Sequence, residues 1–172
     1  MVRTQQRGQI TLSRGTAADA DRVRDFVAGL SLRSQFLRFF ASVACPSSGL
    51  LRALTGADGR AYVLVAADEA GELVGHGMIV DRTCADGGQV SDIGVVVTDR
   101  WQGCGVGSAL MTALAERAAD RGSTALVMDV LPENARMLAM IDHRWPDAPR
   151  HRGRDSVTVR APLKALASSR AA

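Results

Sequence analysis

Apolar positions along the chain change period several times, and each change marks an element. Residues 8–13 (GQITLS) read as a strand. Thr16 follows as an N-cap before AADADRVRDFVAGL, where Val23, Phe26, Val27 and Leu30 recur at helical spacing. SLRSQFLRFF (31–40) predicts a second helix with Phe36, Phe39 and Phe40 as its apolar side, and GLLRALTG a short third one after the break at Pro46 to Gly49. From Arg60 the period shortens. AYVLVAADEAGELVGHGMIV predicts two strands joined by a turn at Asp68 to Gly71, and VSDIGVVV a third beyond the turn at Asp86 to Gly88. GVGSALMTALAERAADRG then predicts a long helix from near Gly103, with Gly122 as its C-cap. ALVMDVL is a buried strand, and Pro132-Glu133-Asn134 opens the helix ARMLAMIDH, which Pro146 stops. After the polar stretch PDAPRHRGRD, the run SVTVRAPL is a last strand.

The predicted order is β-αα-βββ-α-β-α-β, which argues for an α/β fold: a mixed, partly antiparallel sheet flanked by helices on both faces. The 172 residues suit one domain, residues 1–164, followed by a flexible tail, 165–172. Hydrophobic content of 47% with 23% charged residues is ordinary for a soluble globular protein. No apolar run reaches the ~18 residues a membrane helix needs, and the N-terminus lacks a signal-peptide core. A cytoplasmic location without membrane association is therefore expected. A net charge of +3 is too small to argue for nucleic-acid binding. Cys45, Cys84 and Cys104 lie far apart, with no metal-ligand spacing and no disulfide framework. No metal is expected. Lys164 is the only lysine, which leaves almost no target for self-acylation on that residue type.

The segment VVVTDRWQGCGVGSAL (95–110) concentrates the candidate chemistry. A strand feeds a loop poor in side chains, and a helix begins where the loop ends. The first turn of a helix carries unpaired N–H groups and partial positive charge, and glycines let a ligand approach the backbone closely. Such a turn suits an anion, most naturally phosphate; the alternative is a loose turn packed by small residues. A P-loop is excluded because no Gly-Lys pair occurs in the chain. A dinucleotide fold is disfavoured: Ser108 stands where the third glycine should fall, although Asp129 lies where a ribose-binding acid would.

Gln102-Gly103-Cys104-Gly105-Val106-Gly107 resembles the [RQ]-x-x-G-x-[GA] signature of the GNAT acetyltransferases, and it sits between a strand and a long helix as that signature does. SLRSQFLRFF, DIGVVVTDRWQGCGVGSALM (92–111) and VLPENARMLAM (130–140) are further similar to bacterial protein lysine acetyltransferases of the Pat type. The resemblance implies acetyl-CoA as acyl donor. It puts the coenzyme's diphosphate on the amides of Gln102, Gly103, Cys104, Gly105, Val106, Gly107 and Ser108. It pairs the pantetheine arm with the backbone of Val95, Val96 and Val97, whose side chains remain ordinary sheet core. Asn134 would hydrogen-bond the coenzyme and Met137 line its channel, while a plain helix cap is the other reading of Asn134.

Acetyl transfer needs a neutral amine, and a lysine-like amine of pKa ~10.4 costs about 4.6 kcal/mol to deprotonate at pH 7. Asp92, in the strand before the loop and nine residues ahead of Trp101, is the candidate general base; Pat-type enzymes carry glutamate there. Burial would have to raise its pKa, and a bridging water would make up for the shorter side chain. The alternative is a solvated strand end. Many GNAT enzymes have a tyrosine seven residues after the helix-opening asparagine, where this chain has Ile141, so the thiolate leaves unprotonated or takes a proton from water. His143 is a weaker candidate donor, and His76, between Gly75 and Gly77, reads as an ordinary strand histidine. Arg144-Trp145-Pro146 replaces the Gly-Phe that commonly ends this helix.

The acceptor expected from the resemblance is a lysine on another protein. A small amine is the alternative, with Arg33 and Arg38 as groups that could hold an acidic substrate or face water. A non-catalytic acetyl-CoA-binding module is the third reading. Homodimerisation is left open.

Overall fold

The computed structural model describes residues 2–3 (backbone only), 8–43 and 45–163; the expected tail at 165–172 lies outside them. The chain divides into two compact units, Met1–Val80 with Gly94–Leu114, and Asp81–Ile93 with Ala115–Ala172.

The first unit contains β1 (Val2–Arg3), β2 (Gln9–Arg14), α1 (Ala20–Ala28), α2 (Leu32–Phe39), α3 (Ser48–Thr55) and β3 (Ala61–Ala67). It also takes in most of β4 (Leu73–Thr83), the second half of β5 (Gln89–Val97) and the start of α4 (Val106–Asp120). Its strands are ordered β1-β2-β3-β4-β5, and those from β1 to β4 pair antiparallel. Thr16 marks the helical entry as expected: its N–H and Oγ1 both donate to the Asp19 carboxylate, at 3.0 and 2.9 Å. Val23, Phe26 and Val27 from α1 and Leu30 just beyond it pack with Leu51 and Leu54 of α3 onto Val63, Val65, Leu73 and Val96.

The apolar side expected for α2 is corrected. Phe36 and Phe40 are 43% and 42% exposed, Leu32 is 71% exposed, and only Phe39 packs against the core. The buried positions are Ser34 and Gln35. Gln35 closes the turn between α1 and α2: its Nε2 donates to the carbonyls of Val27 (3.2 Å) and Leu30 (3.1 Å), and its Oε1 accepts from Val43 N–H (2.9 Å). A buried amide with its polar atoms paired replaces the aromatic contact that spacing suggested.

Close approach of α4 to the sheet depends on two glycines in β4. A Cβ at Gly75 would lie 3.0 Å from both Leu110 and Val106 side chains, and one at Gly77 would lie 2.6 Å from Leu114 Cδ1. Leu110 and Leu114 are fully buried and have little room to yield. Gly77→Val is expected to cost about 1–3 kcal/mol by overpacking, seen as a lower urea midpoint at unchanged m-value.

The second unit holds the ends of β4 and α4, the first half of β5, β6 (Ala125–Val130), α5 (Ala135–Arg144), β7 (Arg150–Arg152) and β8 (Val157–Pro162). β5 and β6 run parallel, β6 and β8 antiparallel, and β7 borders β8. β7 falls within the polar stretch PDAPRHRGRD, where no element was expected. Its three residues are all exposed, so hydrophobic patterning gives no signal for it. Gly122, at φ +88°, ends α4 as expected, with Ser123 N–H bonded back to Ala118 O at 3.0 Å.

Candidate active site

The glycine loop begins where β5 ends. Thr98 N–H donates to Val74 O at 2.9 Å, and residues 99–101 form one 3₁₀ turn. Gly103 and Gly105 follow at φ +79° and +88°, conformations that admit glycine with little strain. A Cβ at Gly105 would meet no protein atom within 4 Å, so open space lies over the backbone there. Val106 and Gly107 open α4, and helix geometry gives first-turn amides no intrahelical partner. Ala109 N–H closes the turn on the Gly105 carbonyl at 3.0 Å.

Not all seven loop amides point outward. Gln102 N–H donates to Asp99 O (3.2 Å) and Cys104 N–H to Trp101 O (3.3 Å), so these two are engaged within the loop. The side chains of Cys104 and Val106 are buried and anchor the turn from below. Of the named amides, those of Gly103, Gly105, Val106 and Gly107 are not engaged in this way within the loop. Ser108 is exposed at the same helix start.

The Gln102 side chain has a structural task that the sequence does not reveal. Its Nε2 donates to Ser34 Oγ (3.0 Å), Val97 O (3.1 Å) and Asp99 Oδ1 (3.2 Å). The Asp99 carboxylate also accepts from Ser34 Oγ at 2.8 Å and Ser31 N–H at 3.3 Å. Burial pushes the Asp99 carboxyl up, but these hydrogen bonds outweigh it and hold the group below its ordinary value. One network thus ties the start of α2 to the loop and to the end of β5. Val95 and Val96 are buried and Val97 half-buried, as expected of sheet core.

Asp92, Asn134 and Met137 belong to the second unit. Asp92 is not buried. Its side chain is 46% exposed and both its oxygens face Arg82, with Oδ2 accepting from Nε (3.1 Å) and Oδ1 from Nη2 (3.2 Å). Arg82 escaped the sequence reading, although counting outward from the turn at Gly87 along β4 and β5 brings it near Asp92. Asn134 is a helix cap: its Oδ1 accepts from Met137 N–H at 3.2 Å. Met137 is half-buried in the first turn of α5. Ile141 is fully buried, so the tyrosine position is filled by core packing, and His143 is exposed. Cys45, Cys84 and Cys104 are free thiols. Among the described residues no cluster of His, Cys, Asp or Glu could hold a metal ion, and no helix is long and apolar enough to cross a membrane.

The profile of the acetyltransferase (GNAT) family matches residues 31–144. No curated protein sequence matches the chain. Among solved structures, the GNAT domain of S. lividans PAT is 26% identical with a TM-score of 0.83, the match covering 94% of this chain and 95% of that one. A cAMP-binding acyltransferase from Mycobacterium smegmatis is 23% identical at a TM-score of 0.62, over 95% of this chain and 46% of that one. A phosphinothricin acetyltransferase from Sinorhizobium meliloti, in complex with AcCoA, is 19% identical at 0.67, over 90% and 88% of the two chains.

Proposed function

Because the chain belongs to the acetyltransferase (GNAT) family and is an acyltransferase with acetyl-CoA as donor, we propose that it acetylates a lysine side chain on another protein, with residues 1–164 acting as one catalytic domain. The observation that carries the coenzyme's place is the glycine loop, open above Gly105 and followed by the start of α4. The amides of Gly103, Gly105, Val106, Gly107 and Ser108 would hold the diphosphate, backed by the partial positive charge of the helix start. Gln102 would act through its side chain, fixing the loop on Val97, and Cys104 through its buried thiol side. The pantetheine arm would pair with the backbone of Val95 to Val97. Asn134 would offer its Nδ2 donors while Oδ1 serves the cap, with Met137 alongside.

In the proposed reaction the amine nitrogen attacks the thioester carbonyl, a C–N bond forms, the C–S bond breaks and coenzyme A leaves as thiolate. Asp92 takes the amine proton, directly or through one water, and Arg82 fixes its orientation. Asp92→Asn is then expected to lower kcat about 10²-fold at neutral pH, because an amide cannot accept that proton. The deficit should shrink as pH approaches the ~10.4 of a free lysine, where the amine is already neutral. A pH-independent deficit would assign Asp92 a structural role.

Support for a protein lysine comes from the similarity to S. lividans PAT over nearly the whole chain. The direct test incubates the protein with acetyl-CoA and a panel of lysine-bearing proteins, peptides and small amines, following free thiol and the mass of each acceptor. Acetylation of small amines alone would overturn the protein target.

A further inference from the structure

Arg38, near the end of α2, turns its side chain inward. Its guanidinium rests on the backbone of β5 at Gly94: a Cβ there would fall 2.4 Å from Arg38 Cζ, 2.5 Å from Nη2 and 2.8 Å from Nη1. Only a residue without a side chain leaves room for this contact. Arg38 Nε is out of contact with solvent and has no hydrogen-bond partner. The ion pairs among the described residues do not include Arg38. The Phe39 ring, 5.1 Å from Cζ, supplies a cation–π contact but accepts no N–H.

This arrangement is costly for a protein that does not use it. Arg38 is half-buried overall, yet its Nε–H, one of the five donors of a planar fork, is buried with no acceptor, which is unfavourable. Burial lowers Arg38 to about 10, which still leaves it charged at neutral pH. His76 beside it is held uncharged by burial and by this same cation, and it offers no negative charge in either protonation state. A planar fork with its Nε–H unsatisfied and no ion-pair partner matches a carboxylate.

We infer that Arg38 receives a carboxylate of the acetyl acceptor, so that the preferred acceptor is an amine with an acidic group close to it. The inference rests on the proposed reaction only in identifying the anion as the acceptor's. From Val97 back to Gly94 the strand runs about 10 Å, so an arm paired along it leads from the diphosphate loop to Arg38 with its thioester end. The coenzyme's own charges stay at the loop. Two acceptors supply the carboxylate: a free amino acid, or a lysine flanked by glutamate or aspartate.

Binding is tested without any acetyl transfer. The Nε–H resonance of Arg38, assigned by its loss in Arg38→Lys, is followed while L-glutamate is added to the full chain, with and without coenzyme A. A saturable shift with L-glutamate and none with L-glutamine is expected; equal responses, or no response in either state, overturn the site. Kinetics supply the second arm, using lysine peptides that differ only by Glu or Gln beside the lysine, together with free glutamate as the amine. The wild type should favour the acidic member by about tenfold in kcat/KM, mainly through KM. Arg38→Met should erase that preference, the loss falling mainly on the acidic acceptors, and Arg38→Lys restore part of it. A uniform kcat loss on every acceptor would overturn the inference and assign Arg38 to the oxyanion instead. Equal use of acidic and neutral acceptors by the wild type also sinks it, yet leaves the acetyltransferase reading intact. A glutamate-specific shift with no amine acetylated would do the reverse.

Discussion

Gly105→Val is expected to remove the rise in melting temperature that coenzyme A gives the wild-type protein, and to lower kcat/KM for acetyl-CoA by about 10³-fold, or ~4 kcal/mol. Two effects act together at this position. The backbone stands at φ +88°, where a β-branched side chain is strained by roughly 1–2 kcal/mol. The new side chain also projects into the open space above the loop, where the proposed diphosphate would lie. Strain alone would lower the melting temperature of the free protein and leave the coenzyme-induced shift in place. Loss of the shift itself is the signature of a blocked anion site. Gly107→Val serves as a comparison, since its Cβ already meets Val97 Cγ2 at 3.7 Å. If Gly105→Val keeps the full coenzyme response, the diphosphate is held elsewhere.

The second large effect concerns pH and His76. The ring is buried in β4, and its Nε2 donates to Leu54 O at 2.7 Å in the neutral tautomer that this acceptor selects. Burial lowers its pKa to about 4; the Leu54 bond opposes that shift, and the Arg38 cation adds to it. A folded pKa below the unfolded ~6.5 means that the unfolded chain takes up a proton which the folded one refuses. The stabilising contribution is therefore complete above pH ~6.5 and is lost as pH falls from there toward 4, by about 3 kcal/mol in all. Stability measured by urea denaturation between pH 7 and 4.5 should fall steeply in the wild type. His76→Gln, which keeps a donor for Leu54 but does not titrate, should flatten that slope whatever its stability at pH 7. An unchanged slope would show that carboxylates alone set the acid limit. Arg38→Met should flatten it in part, because one of the causes holding His76 neutral is then gone.

Most elements of the fold were legible because their signals are local. The Thr16 cap, the period in α1, the turns at Asp68 and Gly87, the Gly122 stop and the Asn134 cap each depend on residues a few positions apart. Backbone geometry ties those residues together in any context. β7 was illegible for the opposite reason, being a short, fully exposed strand held only by its neighbour β8. On α2, Phe36 and Phe39, with Phe40 just beyond its end, form an apolar set, so periodicity argued for burial. The core took the polar face instead, because Gln35 and Ser34 meet carbonyls, an amide and a carboxylate that only tertiary contacts bring within reach.

Within the candidate site the division is similar. Sequence by itself determined the loop, its two glycines at positive φ and the helix that follows, since conformational freedom and helix-end polarity belong to the residues themselves. Tertiary structure alone decided which partner each polar side chain meets. It gave Asp92 to Arg82, Gln102 and Asp99 to Ser34, and Arg38 to the bare backbone of Gly94. A side chain's charge and reach are written in its identity. Its partners and its access to water are properties of the packed chain, and those govern what it can bind.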